Sequence, residues 1–324
     1  MNILSVVFPI FLVIFLGYLC VRRRLISATS VAEMGRYVMY LALPAVIVKT
    51  LIDLPLDDLF NLRYLLAYLL TSVSVMVLGY WLLNRAGAQN KLDSAVMMTG
   101  MVVPNSAFVG YPIMLQLMDT PPVSGFAMAL IIENLCIMPV CFVLMDYHSI
   151  TTQTGLRQRL LGVVRRTVKN PLLIAIVVGV CGNVLSVPIP DVIRQTLTLL
   201  APSAVSVALF VIGGSLAGVM MKQTRWVPLS LTMLGKLIIH PLVALMLMSW
   251  LLPGEPELTM TLVVITAVPM MSIYAIVGEL YGRRAFCATA QLTTTAASLV
   301  TIPLMLSIAH WCWLQRNATW KGLL

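Results

Sequence analysis

Two short stretches place polar side chains just after a proline inside a long apolar segment. In the first, Asn105 and Ser106 follow Pro104, and in the second, Ser272 follows Pro269 closely. A proline cannot donate a backbone hydrogen bond and clashes with the preceding turn, so it breaks or kinks a helix. The half-helix that begins after a break has unpaired N–H groups and a partial positive charge. These stretches therefore predict an anion-binding site.

The segments that must position these residues have the length of membrane spans. The apolar segment from about Leu92 to Met118 can cross a hydrocarbon core of about 30 Å. Each proline lies about 18 Å along its segment, so we predict that the two breaks cross near the bilayer midplane. We also expect the side chains of Asn105 and Ser106 to cap the helix that follows. The alternative is that both prolines only kink packed helices.

The composition is that of an integral membrane protein. Of 324 residues, 60% are hydrophobic and 10% are charged, and the mean hydropathy is +0.96. The net charge of +9 does not indicate nucleic-acid binding, because the basic residues lie in short clusters between apolar runs. The six cysteines show neither C-x-x-C nor metal-ligand spacing. We expect no metal and no cofactor.

An enzyme is not expected either. The chain has three histidines, and it lacks H-E-x-x-H, G-x-S-x-G and P-loop motifs. The apolar run from Ile3 to Cys20 is expected to be a retained first span, since its arginines, Arg22 to Arg24, follow the apolar core where those of a signal peptide would precede it.

The hydropathy pattern predicts an all-helical protein with ten apolar spans. The loops between the spans alternate in charge, with most of the 21 lysines and arginines in one set. Because basic loops stay in the cytoplasm, both termini are expected on the periplasmic side of a multi-pass inner-membrane protein. The predicted spans are 3–21, 36–53, 63–84, 92–118, 124–146, 170–187, 196–221, 226–252, 257–281 and 286–312.

Residues of the first half recur in the second half at a nearly constant separation. Five is an odd number of spans, so a duplicated five-span unit is inverted in the membrane. We predict two inverted repeats, 1–150 and 151–324, with spans four and nine as the broken helices. The alternative is that common membrane prolines align by chance. The matched residues are Pro9 with Pro171, Gly17 with Gly179, Pro44 with Pro202, Arg63 with Arg225, Pro104 with Pro269, and Pro139 with Pro303.

The stretch from Pro104 to Pro112 resembles the N-[ST]-x-[FL]-x-G-x-P signature of the auxin efflux carrier family, which includes bacterial permeases for malonate and related acids. The stretch Ala267-Val268-Pro269 resembles that family's second crossover. The resemblance implies a ten-span fold similar to that of bile-acid symporters and sodium–proton antiporters, and a homodimer. Where the family commonly has a second asparagine, this chain has Ile273. The second polar contact is therefore assigned to Ser272 or to the backbone.

Further polar residues inside spans are candidates for the site, because such residues are costly in a membrane. Glu133 can carry a coupling proton or can pack against a hydroxyl. Asn134 aligns with Ser298 in the repeat, which suggests that both line a cavity beside the crossover. Lys236 and His240 lie on one helix face. Lys236 can attract an anion, pair with Glu133 or extend to the cytoplasmic surface, and His240 can be a hydrogen-bonded helix residue or a proton relay.

Span ten carries a polar run that can line a pore or serve helix packing. Together these features predict a secondary carrier of a small organic anion, a mono- or dicarboxylate such as malonate, coupled to H⁺, Na⁺ or the membrane potential. The alternatives are a carrier of auxin-like aromatic acids, a membrane sensor that does not transport, and an intramembrane enzyme. The run consists of Gln291, Thr293, Thr294, Thr295, Ser298 and Thr301.

Overall fold

A computed structural model describes residues 3–55, 60–86, 88–118, 123–149, 165, 168–217 and 225–321. Throughout these residues the regular structure is helical, apart from one antiparallel bridge between Pro104 and Met270. The predicted boundary between the two repeats, at 150/151, lies outside the described residues, as does the end of the predicted span 196–221.

The helices are named here in chain order. In the first half they are α1 (Ile3–Arg22), α2 (Ala28–Tyr37), α3 (Leu43–Ile52), α4 (Leu62–Ala86), α5 (Lys91–Val102), α6 (Tyr111–Leu117), α7 (Val123–Ile132) and α8 (Met138–His148). In the second half they are α9 (Pro171–Val184), α10 (Asp191–Leu200), α11 (Ser203–Leu216), α12 (Trp226–Leu234), α13 (His240–Leu251), α14 (Pro256–Ala267), α15 (Tyr274–Leu280) and α16 (Arg284–Lys321).

The described helices have the length and composition of membrane spans. Six helical stretches are long and apolar enough to cross a bilayer, and four apolar helices are shorter. The prediction of an all-helical integral membrane protein is confirmed, whereas ten spans in two inverted repeats stay a prediction. The six stretches are Ala28–Ile52, Leu62–Arg85, Val123–His148, Asp191–Leu216, Trp226–Leu251 and Arg284–Cys312, and the shorter helices are Phe8–Arg22, Ser106–Leu117, Pro171–Val184 and Pro256–Ala267.

Four prolines widen the helices that precede them. In each case a π-helical turn ends two residues before the proline, and the residue next to the proline donates its N–H to a carbonyl five residues earlier. The wider turn relieves the clash between the proline ring and the preceding turn of the helix. The turns are Val38–Ala42 before Pro44, Ser106–Gly110 before Pro112, Glu133–Ile137 before Pro139, and Gly235–Ile239 before Pro241.

One group of helices, which we call the panel, consists of α1 to α3 and α9 to α11. Helix α1 packs along α11, and α3 packs along α9. Close approach in the first pair depends on glycine, because a methyl group at Gly213 would overlap the Ile14 carbonyl oxygen. In the second pair, Asn183 Nδ2 donates to the carbonyls of Leu51 and Leu54, both at 2.7 Å. Small residues and backbone contacts of this kind hold membrane helices together.

The other group, which we call the crossover bundle, consists of α4 to α8 and α12 to α16. Within it, α4 packs on α5 and α13, α14 on α13 and α16, and α15 on α16. The bundle meets the panel where α11 contacts the turn Ser106–Gly110 and where α3 contacts α7. The residues predicted to bind solute therefore lie in the bundle, next to the panel.

Candidate functional site

The two proline breaks lie side by side as a short antiparallel pair. Helix α5 ends at Val102 and α14 at Ala267, each two residues before its proline. Asn105 N–H donates to the Pro269 carbonyl at 2.9 Å, and Met271 N–H donates to the Val103 carbonyl at 3.1 Å. The breaks thus satisfy part of each other's backbone hydrogen bonding, which is what makes extended chain tolerable deep in an apolar bundle.

The helix after the first break begins differently from the prediction. The Asn105 carbonyl accepts hydrogen bonds from the N–H groups of Val109 and Gly110, at 3.0 and 3.1 Å. No side chain caps this helix start. The expectation that the side chains of Asn105 and Ser106 act as caps is therefore wrong. Both side chains instead bond to residues far away in the chain, Ser272 and Glu133, which only the packed structure can provide.

Asn105 connects the two breaks through its side chain. Its Nδ2 donates to Ser272 Oγ at 2.7 Å, and Asn105 itself is 7% exposed. Gln291 on α16 supports the second break, because its Nε2 donates to the Ser272 carbonyl at 2.9 Å and its Oε1 accepts from Ala275 N–H at 3.4 Å. Of the predicted residues, Pro104, Asn105, Pro269 and Ser272 are thus brought to one place.

Ser106 links the first break to a buried carboxyl group. Ser106 Oγ donates to Glu133 Oε1 at 2.5 Å, and Tyr68 Oη donates to the same oxygen at 2.9 Å. Ser106 and Glu133 each open a π-helical turn, and all three side chains are buried. Tyr68 was not among the predicted residues, since nothing distinguishes it from the other aromatic residues of a span.

Lys236 supports the second break through the end of α14. Its Nζ donates to the Thr266 carbonyl, near the end of α14, at 2.9 Å and lies 3.2 Å from His240 Nδ1. A cation at a helix C-terminus is favourable, because the free carbonyls there carry partial negative charge. Lys236 is fully buried, so it does not extend to a surface. In the described part of the chain it makes no ion pair with Glu133 within 4.0 Å. The two groups still interact electrostatically through the buried interior of the bundle.

Two other predicted residues point elsewhere. Asn134 follows Glu133 in the same π-helical turn, but its Oδ1 accepts from Asn170 Nδ2 at 2.6 Å and its Nδ2 donates to the Leu130 carbonyl. Ser298 is buried and donates to the Thr295 carbonyl within α16, at 2.7 Å. Asn134 thus joins the crossover bundle to the panel, and the described bond of Ser298 stays within its own helix.

Contacts at one end of the broken helices hold them in register. Asp93 at the start of α5 forms an ion pair with Arg283, which lies between α15 and α16. Tyr281 Oη donates to Asp146 Oδ1, and Tyr274 Oη on α15 donates to the Val96 carbonyl on α5, at 2.7 and 2.8 Å. These contacts tie the segments that carry the two breaks to each other as well as to the rest of the bundle.

An all-helical chain with several membrane-length apolar helices, and with two interrupted helices that meet at their breaks, has the architecture of a membrane transporter. Residues 2–306 match the family model described as "Membrane transport protein", and the chain belongs to this family. The resemblance to the auxin efflux carriers is thereby confirmed.

Two relatives extend the comparison. The chain is 25% identical over 312 residues to a protein of Rhizobium meliloti (strain 1021) named "Putative malonate transporter", covering 93% of this chain and 94% of that one. It is 24% identical over 255 residues to the "Lysosomal cholesterol signaling protein" of Mus musculus, covering 75% of this chain and 29% of that longer protein.

Proposed function

We propose that this protein is a secondary transporter of a small organic anion, such as malonate or a related carboxylate, which binds where the two breaks meet. The observation that carries the proposal is the contact between Asn105 Nδ2 and Ser272 Oγ, 2.7 Å apart, beside the paired backbone. An amide N–H and a hydroxyl both donate to carboxylate oxygens. A bound carboxylate can therefore replace the bond that these two side chains make with each other.

The backbone adds to this attraction. The helix that begins at Ser106 continues through Gly110 into α6, and the N–H groups of its first residues have no carbonyl one turn earlier in the helix. Such a terminus carries partial positive charge and favours an anion without the desolvation cost of a buried cation. The name of the Rhizobium relative supports malonate as the first substrate to test.

We infer that the chain forms ten spans in two inverted repeats, 1–150 and 151–324, with both termini on the periplasmic side of the inner membrane. In this arrangement α5 with α6, and α14 with α15, are the fourth and ninth spans. Transport then follows from rocking of the crossover bundle against the panel, so that a fixed site opens to each side in turn. The bond between Asn134 and Asn170 joins the two groups and is a contact that such a movement breaks.

Exchange of labelled malonate across proteoliposomes tests the site. Loss of a hydrogen bond to a charged group costs about 1.5–3 kcal/mol, so we expect Asn105→Ala to weaken malonate binding by about tenfold or more. Asn84→Ala is the matched control, because Asn84 is an exposed residue that bonds to Tyr80 and Ser94 away from the crossover. Equal exchange by Asn105→Ala and the parent would refute the assignment of the site.

The same vesicles test the choice of substrate. Labelled acetate, compared with malonate, separates a monocarboxylate carrier from a dicarboxylate carrier. A labelled indole acid tests the alternative of a carrier of aromatic acids, which the family resemblance left open. If the intact protein exchanges none of these acids, the anion-carrier proposal fails. Light scattering of the solubilised protein tests the homodimer that we propose from the same resemblance.

A further inference from the structure

We propose that Glu133 is a proton-binding site, and that its proton releases the Ser106 hydroxyl to the substrate, which makes this protein a proton-coupled symporter. The inference rests on the proposed function, because it assigns the coupling ion to the carrier described above. It joins the carboxyl group and the crossover through one hydrogen bond, from Ser106 Oγ to Glu133 Oε1.

The hydrogen-bond chemistry at Glu133 gives the coupling its direction. An ionised carboxylate only accepts hydrogen bonds, so both Ser106 and Tyr68 must give their hydroxyl hydrogens to it. When a proton binds to the carboxyl group, Glu133 gains an O–H donor of its own and Ser106 Oγ can accept that bond. The Ser106 hydrogen is then free to be donated to a carboxylate at the crossover. No covalent bond to the substrate forms, and the proton enters and leaves with the solvent on either side.

The surroundings of Glu133 favour a proton over a metal cation. The titratable groups that interact electrostatically with Glu133 are Tyr68 and Tyr64 from α4 and Lys236 from the turn Gly235–Ile239. A sodium ion would need several oxygen ligands, whereas the described hydrogen bonds of Glu133 come from two hydroxyl groups that donate to it. A proton instead neutralises the carboxylate itself and needs no other ligand.

Unpartnered polar atoms lie in the same cluster. Tyr64 Oη and His240 Nε2 have no hydrogen-bond partner among the described residues, and both side chains are fully buried. The His240 ring stacks on that of Tyr68, with centroids 6.4 Å apart. Buried polar atoms are nearly always paired, with protein or with ordered water. Tyr64 Oη and His240 Nε2 are therefore the groups in this cluster that can still form a hydrogen bond with a proton carrier on its way to Glu133.

Proteoliposomes with a pH-sensitive dye inside, labelled malonate outside and the membrane potential clamped test the coupling. We expect malonate entry to acidify the lumen. A gradient of one pH unit should drive about tenfold accumulation for each co-transported proton. For Glu133→Gln we expect both effects to be lost and malonate exchange to become independent of pH. Glu33→Gln, which changes a carboxylate in an exposed ion pair with Arg36, should keep both effects.

A second variant tests the link to the crossover. Ser106→Ala removes the hydroxyl that links protonation of Glu133 to the substrate, so it should lower proton-driven accumulation of malonate. Ser124→Ala, at another buried serine of the bundle, should not lower it. Proton-driven accumulation that is unchanged in Ser106→Ala or in Glu133→Gln overturns the inference. Net entry of malonate in the parent without acidification of the lumen overturns the inference but leaves the proposed function standing. Absence of exchange by the parent overturns the proposed function instead.

Discussion

The role of the buried Lys236 side chain leads to a prediction that can be tested without a substrate. Lys236→Met keeps an unbranched side chain that is one atom shorter and removes its charge. The Thr266 carbonyl then loses its Lys236 donor, and Glu133 loses the cation that acts on it. Both positions are buried, so solvent cannot compensate. We expect the variant to fold but to be clearly less stable than the parent.

The size of the effect follows from these contacts. A hydrogen bond from a charged donor contributes about 1.5–3 kcal/mol, and breaking a buried ion pair costs about 3–5 kcal/mol. Because Lys236 and Glu133 are not in direct contact, the figure for an ion pair does not apply. We expect the upper end of the range for the lost hydrogen bond to the Thr266 carbonyl, about 3 kcal/mol. At about 2 °C for each kcal/mol, this corresponds to a fall of about 6 °C in Tm. In Lys236→Met with Glu133→Gln, we expect about 1–2 kcal/mol less loss than the two single variants add up to.

A double-mutant cycle measured by thermal unfolding in detergent checks this prediction. The control cycle is Glu33→Gln with Arg36→Met, an exposed pair for which we expect a coupling energy below about 0.5 kcal/mol. If the losses of Lys236→Met and Glu133→Gln simply add, the two charges do not support each other.

Two further predictions concern the packing of the groups. Gly213→Ala should lower Tm by several degrees, because its methyl group would meet the Ile14 carbonyl, whereas Gly254→Ala, with nothing within 4 Å, should leave Tm unchanged. Thermal unfolding of both variants shows whether the panel depends on this close approach. Arg283→Gln should destabilise the fold by about 2 kcal/mol or more, since it leaves the buried Asp93 carboxylate without its cation. Arg284→Gln, in an exposed pair with Glu279, should cost less than about 1 kcal/mol. Similar losses for the two arginines would contradict the assignment.

The sequence pointed correctly to the two prolines as places where helices end. A proline removes a donor and clashes with the preceding turn in any surroundings, so its effect can be expected from its position alone. The same logic extends to the π-helical turns, which precede Pro112, Pro139 and Pro241 at the same spacing. Four of the polar candidates lie in these turns: Ser106, Glu133, Asn134 and Lys236. This spacing is a signal in the sequence from which the position of these turns could have been predicted.

The partners of the polar side chains could not be expected in the same way. Ser106 lies at a helix start, where a serine usually caps, yet its hydroxyl reaches Glu133 on another helix. Three roles were open to Lys236 from the sequence: attracting an anion, pairing with Glu133 and extending to the cytoplasmic surface. The bond that it makes, to the Thr266 carbonyl, was not among them. A backbone carbonyl becomes an acceptor only when a helix ends beside the lysine, and which helix lies there depends on packing.

By itself, the sequence determined two things: apolar runs require a membrane as the environment of the chain, and prolines interrupt helices within that membrane. These effects are local, because each depends on one residue and the turn around it. Only the tertiary structure decided that the two interruptions pair through Asn105 and Met271, that Asn105 meets Ser272, and that Glu133 lies behind Ser106. Those contacts join residues far apart in the chain, so they exist only once the helices have packed.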